Sequence, residues 1–138
     1  MHRRQLLLSA LAAPSVGWAQ ARAIRLIVPF PAGGATDLLA RTLSTQLSKQ
    51  LGQNVVVDNK PGAGGSLGAD LAAKAAPDGQ TLLLSTTSTH SIGPALGARL
   101  PYDVASDFTP IAHLGDAPSV MLVPNGAPAT ARDWMVEV

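Results

Sequence analysis

The chain contains no cysteine. That removes disulfide frameworks, thiolate metal centres and cysteine nucleophiles in one step. Aromatic residues make up only 4% of the 138 residues and charged residues only 14%, with a formal net charge of +1. So small a charge leaves no basic face to neutralise phosphates, which argues against a dedicated nucleic-acid binder. The sequence is not poor in apolar residues, at 46%, so disorder is not expected, and the length suits a single domain. No stretch offers the roughly 20 consecutive apolar residues that a membrane-spanning helix requires.

What is present begins with an export pattern. His2, Arg3 and Arg4 precede Leu6, Leu7 and Leu8 and an alanine-rich stretch, and Ala19-Gln20-Ala21 fits an A-x-A cleavage site. Residues 1–21 therefore read as a signal peptide, interrupted by Pro14 and Gly17 and too short to span a bilayer. The adjacent arginines also permit twin-arginine export. Cleavage after Ala21 removes Arg3 and Arg4, leaving eight cations against nine acids and a net charge of −1. The mature chain is expected to work in the periplasm with no stable membrane insertion.

Beyond the cut, strand and helix patterns alternate. Ile24, Leu26, Ile27 and Val28 form a β-branched run that ends at Pro29-Phe30-Pro31. A helix is expected over 36–51, with Leu39, Leu43, Leu47 and Leu51 as its apolar stripe. Thr36 or Asp37 is its expected cap, and Gly52 its left-handed stop. Val55, Val56 and Val57 read as a second strand, apolar on both faces as in a central parallel strand. A second helix opens at Ser66 and stops at Pro77-Asp78-Gly79, and a third strand covers 81–85. The β-α-β-α-β order requires helical crossovers between parallel strands, giving an α/β sheet with flanking helices. A short helix near 92–96, strands at 111–114 and 120–123, and a helix starting near Thr130 complete the expectation.

Three loops can carry chemistry. Phe30-Pro31-Ala32-Gly33-Gly34-Ala35-Thr36-Asp37 joins the first strand to the first helix. Ligands of open parallel sheets sit at the strands' carboxyl ends. There a helix N-terminus offers unpaired amides and the positive end of its dipole to an anion. The alternative is a plain tight turn capped by Asp37. Gly64-Gly65-Ser66-Leu67-Gly68 matches the G-x-S-x-G elbow of serine hydrolases, with Asp107 and His113 in the hydrolase chain order. However, residues 59–63 make a slack connection where that elbow needs a sharp strand-to-helix turn. Capping and close backbone packing suit Ser66 and its glycines better. Thr86, Thr87, Ser88 and Thr89 supply hydroxyls after the third strand, which can bond a ligand or merely decorate a polar loop. His90 and His113 lack partners at metal-ligand spacing, and Asp58, Asp70 and Asp78 are scattered over separate elements, so no metal, cofactor or acid–base pair is expected.

The run Pro29-Phe30-Pro31-Ala32-Gly33-Gly34-Ala35-Thr36-Asp37 resembles the opening motif of the Bug/TctC family, the extracytoplasmic solute receptors of tripartite tricarboxylate transporters. The resemblance continues in order through 59–65, 76–83, 94–96, 100–103, 107–111 and 122–124. It implies a periplasmic-binding-protein-like clamshell, a Venus flytrap, that binds a small carboxylate and delivers it to membrane permease subunits. It implies no cofactor and no enzymatic activity. Carried onto this chain, the carboxylate loop is Phe30 to Asp37, Thr36 included, with the amides of Ala32, Gly33 and Gly34 facing the ligand. Gly64, Thr86 and Thr87 line the same wall. Family members continue further, so the expectation is an incomplete first domain over 22–124. Residues 125–138 would begin the crossover to a second domain, making a truncated and impaired receptor. A secreted hydrolase using Ser66 and a fragment without ligand function stand as alternatives.

Overall fold

The computed structural model describes residues 22–118. The expected signal peptide, the expected strand at 120–123, the expected helix near Thr130 and the expected crossover at 125–138 lie outside the described residues.

Strand β1 (Ile24–Val28), helix α1 (Ala35–Leu51), strand β2 (Val55–Asn59), helix α2 (Ser66–Ala73) and strand β3 (Thr81–Leu83) follow one another as the sequence implies. All pairings are parallel and the strand order is β2-β1-β3. Leu26 is level with Val57 on one side and with Leu82 on the other. The chain leaves β1 toward β2, then crosses back over β1 to reach β3. With right-handed crossovers, these opposite directions put α1 and α2 on opposite faces of the sheet. The core agrees. Ile24, Leu26 and Val28 cluster with Ala40, Leu43 and Leu47 of α1, whereas the alternate residue Ile27, fully buried, lies outside that cluster.

The centre of the sheet is β1, not β2. The Val55-Val56-Val57 run suggested a central strand, but β2 is an edge among the described strands, and Val56 is 52% exposed. The leucine stripe of α1 is also only half used. Residues spaced by four advance about 40° beyond a full turn at each step, so Leu39 and Leu51 differ by about 120° around the helix. The middle pair, Leu43 and Leu47, therefore packs on the core, while Leu39 and Leu51 are largely exposed.

Strand β3 ends at Leu83, although the Leu84 amide still donates to the Ile27 carbonyl at 2.9 Å. The polar run after it is helical rather than loose: a π-type turn over Ser88–Ile92 leads into a single turn at Gly93–Ala95. The expected strand at 111–114 is not formed. Ile111 is 79% exposed and Leu114 47%, with no ladder partner among the described residues.

Candidate functional site

The parallel order brings the ends of β1, β2 and β3 to one edge, where their outgoing loops converge. Pro29 and Phe30 leave β1, a tight 3-10 turn at Ala63–Gly65 follows β2, and the Ser88–Ile92 turn follows β3. Gly65 shows how close they lie. A Cβ built there would stand 2.7 Å from Thr89 Cγ2 and 3.4 Å from both Phe30 Cζ and Pro29 Cβ, and its φ is +97°. Gly68 is as constrained, with Lys60 O at 2.8 Å and Pro29 Cα at 2.9 Å from its built Cβ. Gly65 and Gly68, within the G-x-S-x-G stretch, thus let α2 press against the ends of β1 and β2.

Ser66 belongs to that packing. Its hydroxyl donates to the Ala63 carbonyl at 2.8 Å, and Gly65 occupies the N-cap position. His113 lies 3.3 Å from Asp116, with its side chain 74% exposed. Asp107 Oδ2 accepts the Asp103 amide at 2.7 Å. None of these contacts joins Ser66 to a histidine or an acid, so the hydrolase alternative has no assembled triad.

Helix α1 starts at Ala35, with Gly34 in extended conformation at its N-cap and Gly52 at φ +63° as its stop. Neither Thr36 nor Asp37 is the cap. The first backbone bond of the helix runs from Leu38 N to Gly34 O at 3.0 Å, so the amides of Ala35, Thr36 and Asp37 precede the ladder. Residues 31–35 are exposed and Thr36 is half-buried.

Asp37 turns inward instead of capping. It is 3% exposed. Its Oδ2 accepts the Gly33 amide at 2.9 Å and Arg41 Nε at 2.8 Å, and its Oδ1 accepts Asn59 Nδ2 at 3.0 Å. Asn59 Nδ2 also donates to the Phe30 carbonyl at 3.1 Å. The Arg41 hydrogen bond, then those of Gly33 and Asn59, hold this carboxyl well below its usual 3.8. The Gly33 amide is therefore engaged within the protein, and the expected set of ligand-facing amides needs correction at that residue. Arg41 and Asn59 were missed in the sequence. Asn59 ends a strand, and nothing local signals its reach back to the first loop; Arg41 stands four residues after Asp37, a spacing that could have exposed the pair.

On the third loop, the Thr86 amide donates to Thr89 Oγ1 at 3.1 Å, and Thr86 Oγ1 lies 2.8 Å from Ser88 Oγ. Ser88 Oγ lies 3.4 Å from the Gly64 carbonyl, so the second and third loops meet. Thr87 is exposed and Thr86 half-buried. Thr89 is 1% exposed, and the buried Tyr102 hydroxyl donates to its carbonyl at 2.9 Å. His90 Nδ1 is 2.8 Å from Thr89 Oγ1, and the His90 ring packs edge-on to Phe108 at 4.7 Å; burial lowers its pKa from 6.5. The scattered acids are structural: Asp58 pairs with Lys60 at 3.1 Å, Asp70 with Lys74 at 2.7 Å and Asp78 with Arg22 at 3.5 Å. Among the described residues, no group of three or more His, Asp or Glu could hold a metal ion. No helix there is long and apolar enough to cross a membrane.

The expected residues Phe30, Ala32, Gly33, Gly34, Thr36, Asp37, Gly64, Thr86 and Thr87 thus lie on three connections at one sheet edge, Thr36 and Asp37 in the first turn of α1. Residues 39–137 match the family model described as the tripartite tricarboxylate transporter family receptor, TctC. The chain belongs to the TctC receptor family. The TctC chain is 47% identical over 116 residues to protein BugT of Bordetella pertussis, covering 83% of this chain and 36% of that one. Among solved structures, it resembles MatC from Rhodopseudomonas palustris with bound malate at 44% identity and a TM-score of 0.62, over 64% of this chain and 30% of that one. A structure described as a periplasmic transporter matches at 53% identity and a TM-score of 0.57, over 59% of this chain and 28% of that one. The TctC chain spans about a third of the length of these relatives. The likenesses agree with its parallel sheet and flanking helices, the fold of periplasmic binding proteins.

Proposed function

We propose that this chain supplies one wall of a periplasmic receptor that captures a small carboxylate for the permease subunits of a tripartite tricarboxylate transporter. The observation that carries this reading is the start of α1, whose first-turn amides have no partner among the described residues and stand at the carboxyl end of β1, central among the described strands. In a 2-1-3 sheet the chain diverges from β1 to opposite sides, which opens a crevice at that edge. The helix dipole and its unpaired amides favour negative oxygens there without a cationic clamp.

The amides assigned to the acid are those of Ala32, Gly34, Ala35 and Thr36, since Gly33 donates to Asp37. Phe30, Gly64 and the hydroxyls of Thr86 and Thr87 complete the wall. The likeness to MatC, whose structure holds malate, supports a carboxylate as the guest. Capture and release require no bond to be made or broken, so the receptor acts without catalysis. A leader over residues 1–21 would place it in the periplasm, which N-terminal sequencing from a periplasmic extract checks by a start at Arg22.

Isothermal titration against malate and a panel of other dicarboxylates tests the binding reading. The 138-residue chain and the chain extended to its relatives' length should both bind, the single wall more weakly because it desolvates only one side of the guest. Absence of heat across the panel for both proteins contradicts it.

A further inference from the structure

Asp37 presents a paradox for a site of this kind, because a carboxylate one residue from the anion-facing amides should repel the guest. Its contacts resolve the difficulty. Among the described residues its two oxygens accept from Gly33 N at 2.9 Å, Arg41 Nε at 2.8 Å and Asn59 Nδ2 at 3.0 Å. Asn59 then carries the connection onward to the Phe30 carbonyl at 3.1 Å, and its own Oδ1 lies 3.5 Å from Arg41 Nη2.

We propose that Asp37, Arg41 and Asn59 form a positioning latch, which ties the β1–α1 loop to the end of β2 and holds the loop open for the guest. The proposal rests on the carboxylate-receptor reading for its purpose, though not for its geometry. The latch grips the loop at both ends, at Phe30 O and at Gly33 N. Between those points the chain has few other restraints. Residues 31–34 are exposed, Gly33 sits at φ +86°, and a Cβ at Gly33 would meet nothing within 4 Å. Packing therefore does not set this bend; the hydrogen bonds do. Gly33 can hold a positive φ at no steric cost, but by itself glycine favours many other conformations equally. Drawing the Gly33 amide toward Asp37 selects one of them. Arg41, on the next turn of α1, compensates the Asp37 charge, so the wall stays favourable to anions. Preorganised donors avoid the ordering cost that a mobile loop would incur on binding.

The test compares Asp37→Ala and Asp37→Asn with the wild-type 138-residue chain by amide hydrogen exchange and by NMR titration with malate. Asp37→Ala should speed exchange at Gly33 at least tenfold, while the β1 amides stay protected. It should also weaken malate binding about tenfold or more. Asp37→Asn keeps an acceptor oxygen and should restore most of the Gly33 protection and part of the affinity, a rescue that a merely structural loss would not show. If Asp37→Ala fails to fold, Asn59→Ala takes its place. That variant releases the Phe30 carbonyl and should weaken binding with β1 protection intact. Unchanged Gly33 exchange in Asp37→Ala, or loss of protection spread equally over β1, overturns the latch. If wild type itself does not bind malate or other acids, the receptor reading fails, and Gly33 exchange alone still decides the latch.

Discussion

Replacing Gly68 by alanine sets two effects of opposite sign against each other. In the interior of α2, alanine is favoured over glycine by roughly 0.8–1.0 kcal/mol of helix propensity. Against this, the new methyl would stand 2.8 Å from the Lys60 carbonyl oxygen and 2.9 Å from both Cα and Cβ of Pro29. These neighbours are backbone and a proline ring, and Pro29 is fully buried, so no flexible side chain can swing aside. Overpacking of this kind costs about 1–3 kcal/mol. Contacts this short against rigid neighbours put the cost in the upper half of that range, about 2–3 kcal/mol, so steric cost should win with a net loss of about 1–2 kcal/mol once the propensity gain is subtracted. For a domain of this size, each kcal/mol lowers Tm by about 4–8 °C. The damage should also reach the site, because Pro29 and Lys60 are the first residues beyond β1 and β2. Urea denaturation and a thermal melt read the stability, and malate titration reads the site. A Gly68→Ala chain as stable as wild type, or more stable, would refute the packing argument.

Other perturbations separate the remaining claims. Because Asp37 is held well below 3.8, its stabilising contribution is complete above that value and fades as pH falls below it, where the unfolded chain takes up a proton that the folded chain still excludes. Urea midpoints for wild type should therefore fall more steeply below about pH 4 than those of Asp37→Asn; parallel curves would contradict this. His90 has the same sign at higher pH: burial lowers its pKa, so acidification through 6.5 should destabilise wild type more than a His90→Gln variant. Tyr102→Phe strands the buried Thr89 carbonyl and should cost about 1–3 kcal/mol by chemical denaturation. Ile111→Ser, at a 79% exposed position, should change stability by no more than about 0.5 kcal/mol; a larger loss would restore the buried strand expected at 111–114.

The alternation of elements was legible because β-branched runs and a helical stripe with a glycine stop carry local signals, and parallel pairing follows from the helical crossovers. The position of each strand in the sheet was not. Val55, Val56 and Val57 are apolar throughout, yet β2 lies at an edge among the described strands, since lateral order depends on where the chain turns back and not on composition. Ile111 and Leu114 read as a strand for the same reason, but a ladder needs a partner, which a local pattern does not contain. For the proposed site, the glycines and the helix start were the local signals that singled out the β1–α1 loop. The role of Asp37 was hidden because its partner Asn59 is 22 residues away and meets it only through parallel pairing of β1 and β2. The serine-elbow pattern was legible, but Gly65 and Gly68 within it answer to packing against Pro29, Lys60 and Thr89.

The most direct measurement is an amide-proton NMR titration of the isotopically labelled chain with malate. If main-chain donors at the start of α1 grip the acid, the protons of Ala32, Gly34, Ala35 and Thr36 move downfield together and saturably, while Gly33, already bonded to Asp37, moves little. Saturable shifts confined to other surfaces, with these four amides unmoved, would contradict the account.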